Sequence, residues 1–221
     1  MKLKTNSSQR GDASLLDLLV MLIAVAIVAA VFLPMLAKSR AKSSRIGCVN
    51  DVKQIGLSFR LWAGDNGDKM PAQVSTNAGG TMELVASGLV FPHFAVMSNE
   101  LGTPKIIVCP NDAKRTSGTN FATLSDANVS YFVVPEADET IPNLWLSGDR
   151  NLATNNVPLK PGLFTMPTNR VVSWTAQMHV NTGNLCFADG RVQQIANAGL
   201  HKNLRAYHKA TTNATFRLII P

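Results

Sequence analysis

No C-x-x-C pair occurs in this chain, and its 221 residues hold only three cysteines, Cys48, Cys109 and Cys186. That spacing excludes the common zinc ribbons and thioredoxin-like redox motifs. There is no G-x-S-x-G, no H-E-x-x-H and no P-loop, so serine-hydrolase, zincin and nucleotide-triphosphate chemistry have no motif to rest on. Aromatic residues make up 6% and charged residues 16% of the chain, against 46% hydrophobic. This balance fits neither a disordered chain nor one that crosses a membrane repeatedly. Internal repeats and low-complexity tracts are absent as well. The apolar stretches at 106–109 and 218–220 are only strand-sized.

One long apolar run is present. Residues 13–37 read ASLLDLLVMLIAVAIVAAVFLPMLA, with Asp17 as the only charge. About 20 apolar residues match the hydrocarbon thickness of a bilayer. An ionisable group within such a run is costly, which makes Asp17 a candidate functional residue; the bland alternative is an acid near the helix end that reaches the interface. Residues 1–12 are polar and basic and read as a leader. An ordinary secretory signal is disfavoured, because the apolar run exceeds the usual core length and no small-x-small cleavage site follows it. Pro34 is expected to kink the helix, since it cannot donate a backbone hydrogen bond. The net charge is +7. Lys38, Arg40, Lys42 and Arg45 read as a juxtamembrane cluster.

The helix is expected to continue to about Ala63. Cys48, Val52, Ile55, Phe59 and Trp62 recur at alternating steps of four and three, one stripe of an amphipathic helix. Asn50, Lys53, Gln54 and Arg60 take the opposite face, and Gly64-Asp65-Asn66-Gly67 ends the segment. The chain thus divides into 1–12, a leader; 13–37, a transmembrane half-helix; 38–63, an amphipathic half-helix; and 64–221, a loop-rich head. Strands are expected at 106–109, 129–134, 144–146, 170–174 and 216–220. A hairpin is expected from 184–188 and 191–195, where Asp189-Gly190 supplies the positive φ of a tight turn.

Candidate sites in the head are few. Cys48 and Cys109 are either two buried apolar side chains or a disulfide pinning the helix to the head. Cys186, inside the hairpin, reads as a packed thiol. His179 reads as a structural residue orienting the hairpin through Asp189; a catalytic pair lacks a nucleophile at a supporting spacing. His201 and His208 lack acidic company for a metal. The oxygen donors of Asp65-Asn66-Gly67-Asp68 and Asp112 give calcium little support, because EF-hand spacing is missing. No cofactor, metal, small-molecule substrate or catalytic activity is expected. Lys202, Arg205, Lys209 and Arg217 support an alternative as a DNA-binding subunit, without the interleaved aromatics that single-strand binding uses.

Residues 10–20, RGDASLLDLLV, resemble a diverged prepilin-type N-terminus, usually Gly-Phe-Thr-Leu-Ile-Glu-Leu-Leu-Val. Ala13 takes the place of Phe, Ser14 of Thr and Asp17 of Glu. Pro34 stands where type IV pilins often carry a kinking proline. The stretches at 33–40 and 48–57, Cys109-Pro110-Asn111-Asp112, and His179 followed after nine residues by Asp189-Gly190 are similar to pseudopilin-like proteins of planctomycetes and verrucomicrobia. The resemblance implies an α+β pilin-like fold, with a long N-terminal helix packed on a C-terminal antiparallel sheet. It also implies leader removal and methylation by prepilin peptidase, single-pass insertion in the inner membrane with the head outside, and stacking of sister subunits into a pilus or a type II secretion pseudopilus. In that family the acid pairs with the N-terminal amine of a neighbour. Asp12 stands where Gly is usual. Cleavage there exposes Ala13, cleavage after Gly11 exposes Asp12, and an uncut chain is a plain anchor.

Overall fold

The structure is a computed structural model and describes residues 15–167, 170–211 and 215–221. Gly11, Asp12 and Ala13 lie outside the described residues. Two compact units are distinguished, Met1–Ser43 and Ser44–Pro221, and helix α1 (Leu15–Asp65) contributes to both.

In the first unit, Leu15–Leu36 is long and apolar enough to cross a membrane, and none of it is buried. It has Leu, Val, Ile and Ala on every side, so it lacks the polar stripe of a surface helix. Asp17 lies in its first turn, and the helix continues through Pro34.

In the second unit the character of α1 changes. Cys48, Val52, Ile55, Phe59 and Trp62 are all buried, as their periodicity predicts, while Asn50, Lys53, Gln54 and Arg60 are exposed. Each large apolar side chain buried this way contributes about 1.5–3 kcal/mol. The helix stops where Gly67 and Asp68 turn to positive φ, at 67° and 59°. The Asn66 side chain donates to the Trp62 carbonyl at 2.7 Å, satisfying one of the carbonyls left open at a helix end.

Short helical turns follow: α2 (Phe91–Ala95) and α3 (Ser98–Leu101), with single 3₁₀ turns around them. Phe94 of α2 meets Phe59 edge-on at 5.9 Å. The strand expected at 106–109 is not formed, because Pro104–Ile107 is a 3₁₀ turn. Pro104 at its start fixes a helical φ, and the Thr103 side chain accepts from the Lys105 N–H, a side-chain cap on the turn.

Among the described residues nine strands follow: β1 (Tyr131–Val133), β2 (Trp145–Asp149), β3 (Leu152–Thr154), β4 (Val157–Pro158), β5 (Gly162–Pro167), β6 (Val172–Trp174), β7 (Thr182–Phe187), β8 (Val192–Ala196) and, after helix α4 (Asn197–Thr211), β9 (Thr215–Ile220). A six-stranded sheet has the order β5-β9-β1-β2-β7-β8, and a three-stranded sheet the order β4-β3-β6. Every pairing is antiparallel. The fold is therefore α+β, an apolar N-terminal helix followed by an antiparallel head. The β7–β8 hairpin forms as expected, with one correction to its turn. Only Gly190 takes positive φ (81°), and its N–H donates to the Phe187 carbonyl at 2.9 Å. This is the longer hairpin turn with a left-handed glycine bulge, which leaves Asp189 in ordinary backbone space. α4 buries Leu200, Leu204 and Tyr207. The Tyr207 ring lies 6.5 Å from Trp145 and 4.4 Å from Phe216.

Candidate functional site

The densest group of chemically capable side chains lies within the second unit, on the sheet face that α1 covers. Register builds it. Tyr131 on β1 pairs with Asp149 on β2, and Gly148 pairs with Leu185 on β7, which brings Asn184 beside Asp149. Side chains directly across neighbouring strands share a face. Above this polar row sits Cys48 of α1, its Sγ 3.4 Å from the Tyr131 hydroxyl and donating to Asp149 Oδ1 at 3.9 Å.

His179 enters from the loop before β7. Its Nε2 lies 3.2 Å from Cys48 Sγ, 3.3 Å from Cys109 Sγ and 3.5 Å from Asp149 Oδ2. Its Nδ1 faces the Asn111 side-chain amide nitrogen at 3.3 Å. Its Nε2 also faces the Asn184 side-chain amide nitrogen at 3.5 Å, so a donor-only amide nitrogen stands at each ring nitrogen. The loop is forced into this position. Met178, Val180 and Asn181 have φ of 62°, 51° and 58°, a conformation that a β-branched residue such as Val180 adopts only when its surroundings impose it. Asn151 supplies part of that force, its amide nitrogen donating to the carbonyls of Thr175, Gln177 and Thr182 at 3.3, 2.9 and 3.2 Å.

The group is sealed. Cys48, Cys109, Tyr131, Asp149, His179 and Asn184 are all buried. Burial pushes the Asp149 carboxyl up to about 8, outweighing the Asn184 N–H that donates to it at 2.6 Å. Burial also lowers the His179 imidazole, and Arg45 adds to that effect. Burial raises the Tyr131 phenol well above its ordinary value. Burial therefore favours the neutral forms of Asp149, His179 and Tyr131, the titratable groups that touch the two sulfurs. The sulfurs of Cys48 and Cys109 lie side by side in this sealed group. Together with His179 they form a three-donor set within 4.8 Å that could hold a metal ion.

Beside this group, Arg150 grips Asp112 through two contacts of 2.6 Å, and the Ser130 hydroxyl donates to the same carboxylate at 2.9 Å. Burial works to raise Asp112, but the Arg150 bonds and charge win and hold it below the ordinary carboxylate range. With its oxygens committed in this way, Asp112 is a structural clamp.

The sequence-predicted residues separate clearly. Cys48, Cys109 and His179 are brought together. Asp189 is not their partner; its Oδ1 accepts the Arg191 N–H at 2.9 Å, within the hairpin turn. The acid beside His179 is Asp149, because β2 lies next to β7 and the hairpin tip points away from the His179 end of β7. Cys186 is a packed thiol, pushed up to about 12 by burial. Of the basic residues, Lys202, Arg205 and Lys209 are exposed on α4, whereas Arg217 is held by Glu136. Asp149, Tyr131 and Asn184 were not singled out by sequence reasoning, and Asn111 was named only within the Cys109-Pro110-Asn111-Asp112 element. The one available signal was an acid ending an otherwise apolar strand run. No family model, curated protein or solved structure matches this chain.

Proposed function

We propose that the chain is a non-catalytic structural subunit of a type IV pilus-like filament or type II secretion pseudopilus, anchored in the inner membrane by one span with its head on the extracytoplasmic side. The observation that carries this reading is the division of labour along α1. Leu15–Leu36 is unburied and wholly apolar around one acid, Asp17, while the residues from Cys48 onward form the core of a β head. A helix apolar all round needs lipid or sister helices as its solvent. A carboxylate among packed helices needs a cationic partner, which the prepilin resemblance supplies as a neighbour's N-terminal amine. The partners are then sister subunits, prepilin peptidase and the assembly machinery.

Two measurements test this. N-terminal mass spectrometry of membrane-extracted protein should find a processed terminus at Ala13 or Asp12; an intact Met1 would leave only the uncleaved anchor. Asp17→Ala should insert normally but enter filaments poorly, and unchanged incorporation would remove the register role. The exposed Lys202, Arg205 and Lys209 on α4 favour a second reading, a DNA-binding minor subunit. In that case the head would retain duplex DNA with a steep loss as salt rises.

A further inference from the structure

We infer that Cys48 and Cys109 close a disulfide that staples α1 to the head, sealed under the imidazole of His179. Two observations within the second unit lead there. Both sulfurs touch the same ring nitrogen, at 3.2 and 3.3 Å, so the two side chains converge on one point from segments 61 residues apart in sequence. Structural zinc takes four donors, whereas the group here offers three among the described residues.

The closing step is a thiol–disulfide exchange. One cysteine thiolate attacks a sulfur of an external disulfide, of protein or glutathione type, and the mixed disulfide is then attacked by the second thiolate. Two S–H bonds are lost and one S–S bond forms; the external disulfide takes both electrons and, with two protons, leaves as thiols. In the finished head both sulfurs are buried, at 0% and 1% exposure. Closure therefore precedes the final seating of the 178–181 loop. Cys186, buried beside α1 and with no second sulfur in contact, stays a thiol.

The test uses the full chain in detergent, equilibrated in a glutathione redox buffer. After alkylation in denaturant without reductant, one thiol per chain should react, and three after reduction, matching the three cysteines. Peptide mapping should join residues 48 and 109, with a mass about 2 Da below the dithiol form. Cys186→Ala should then show no reactive thiol before reduction. In the native protein, His179→Ala should speed reduction by dithiothreitol about tenfold or more by opening the seal. Three reactive thiols would overturn the proposal, as would one bound zinc per chain that vanishes on alkylation. The pairing rests on geometry and not on the proposed location. A bond formed in the buffer but missing from chain taken from cells would support the pairing and count against the extracytoplasmic head.

Discussion

Gly56 lets α1 approach the sheet closely, and replacing it by alanine gives a sharp test of that packing. A Cβ there would sit 2.5 Å from Cys186 Sγ, with the Gly190 backbone behind it at 3.7 Å. An ordinary contact needs about 1 Å more. The sulfur is fully buried on β7 and has nowhere to go, so the helix must lift or the strand must bow. Overpacking of this kind costs about 1–3 kcal/mol. Alanine returns about 1 kcal/mol through its better helix propensity. The net loss should be about 1 kcal/mol at mid-range, or roughly 2–4 °C in Tm for a head of this size. Removing the sulfur should relieve the clash, so Gly56→Ala with Cys186→Ala should be more stable than the sum of the two single changes predicts, by about 1 kcal/mol or more. Near-UV circular dichroism of the tryptophans during thermal unfolding in detergent would follow this. A Gly56→Ala protein that melts higher than the parent, or two changes that simply add, would refute the proposed close approach.

Asp112→Ala should destabilise the head by about 3–5 kcal/mol, because it strands the largely buried Arg150 guanidinium; denaturant unfolding measures this, and replacing Arg150 by Met in the same chain should recover part of the loss. His93 is buried with Nδ1 2.6 Å from the Thr81 hydroxyl, and burial lowers its pKa from 6.5 to about 4. The unfolded chain then binds more protons between those values, so stability is constant above pH 6.5 and falls as pH drops toward 4, by about 3 kcal/mol. A His93→Gln protein should lose this part of the slope in a pH series of melts.

How much of this arrangement could be read from residues alone depended on the range of the interactions. The stripe from Cys48 to Trp62 repeats within a few turns of one helix, and its burial follows from period alone. The β7–β8 hairpin announces itself through Asp189-Gly190, although the count of positive φ angles did not, since Gly190 alone supplies it. Local signals misled at 106–109, where β-branched residues suggested a strand but Pro104 and Thr103 start a 3₁₀ turn. The tight β3–β4 hairpin, which turns at Asn155 and Asn156 with positive φ at both, was overlooked; nothing local marked β5, whose partner β9 lies far along the chain, and α4 was read for its charges while Leu200, Leu204 and Tyr207 were overlooked. The polar row beneath Cys48 was out of reach for a deeper reason. Asp149 meets His179 only because β2 and β7 are neighbours, and no spacing along the chain encodes that adjacency. Pairing His179 with Asp189 followed sequence proximity, whereas the sheet follows strand order.

Strand order has a further consequence, for biosynthesis. β9 is made after the other eight described strands, yet it lies between β5 and β1, and β5 joins the six-stranded sheet only through it. A ribosome therefore delivers the keystone after the arch. Until it arrives, β1 and β5 each present an open flank to any passing strand. A chain stalled before residue 215 would be handed to quality control with those flanks unprotected, however well α1 and the β7–β8 hairpin had already formed.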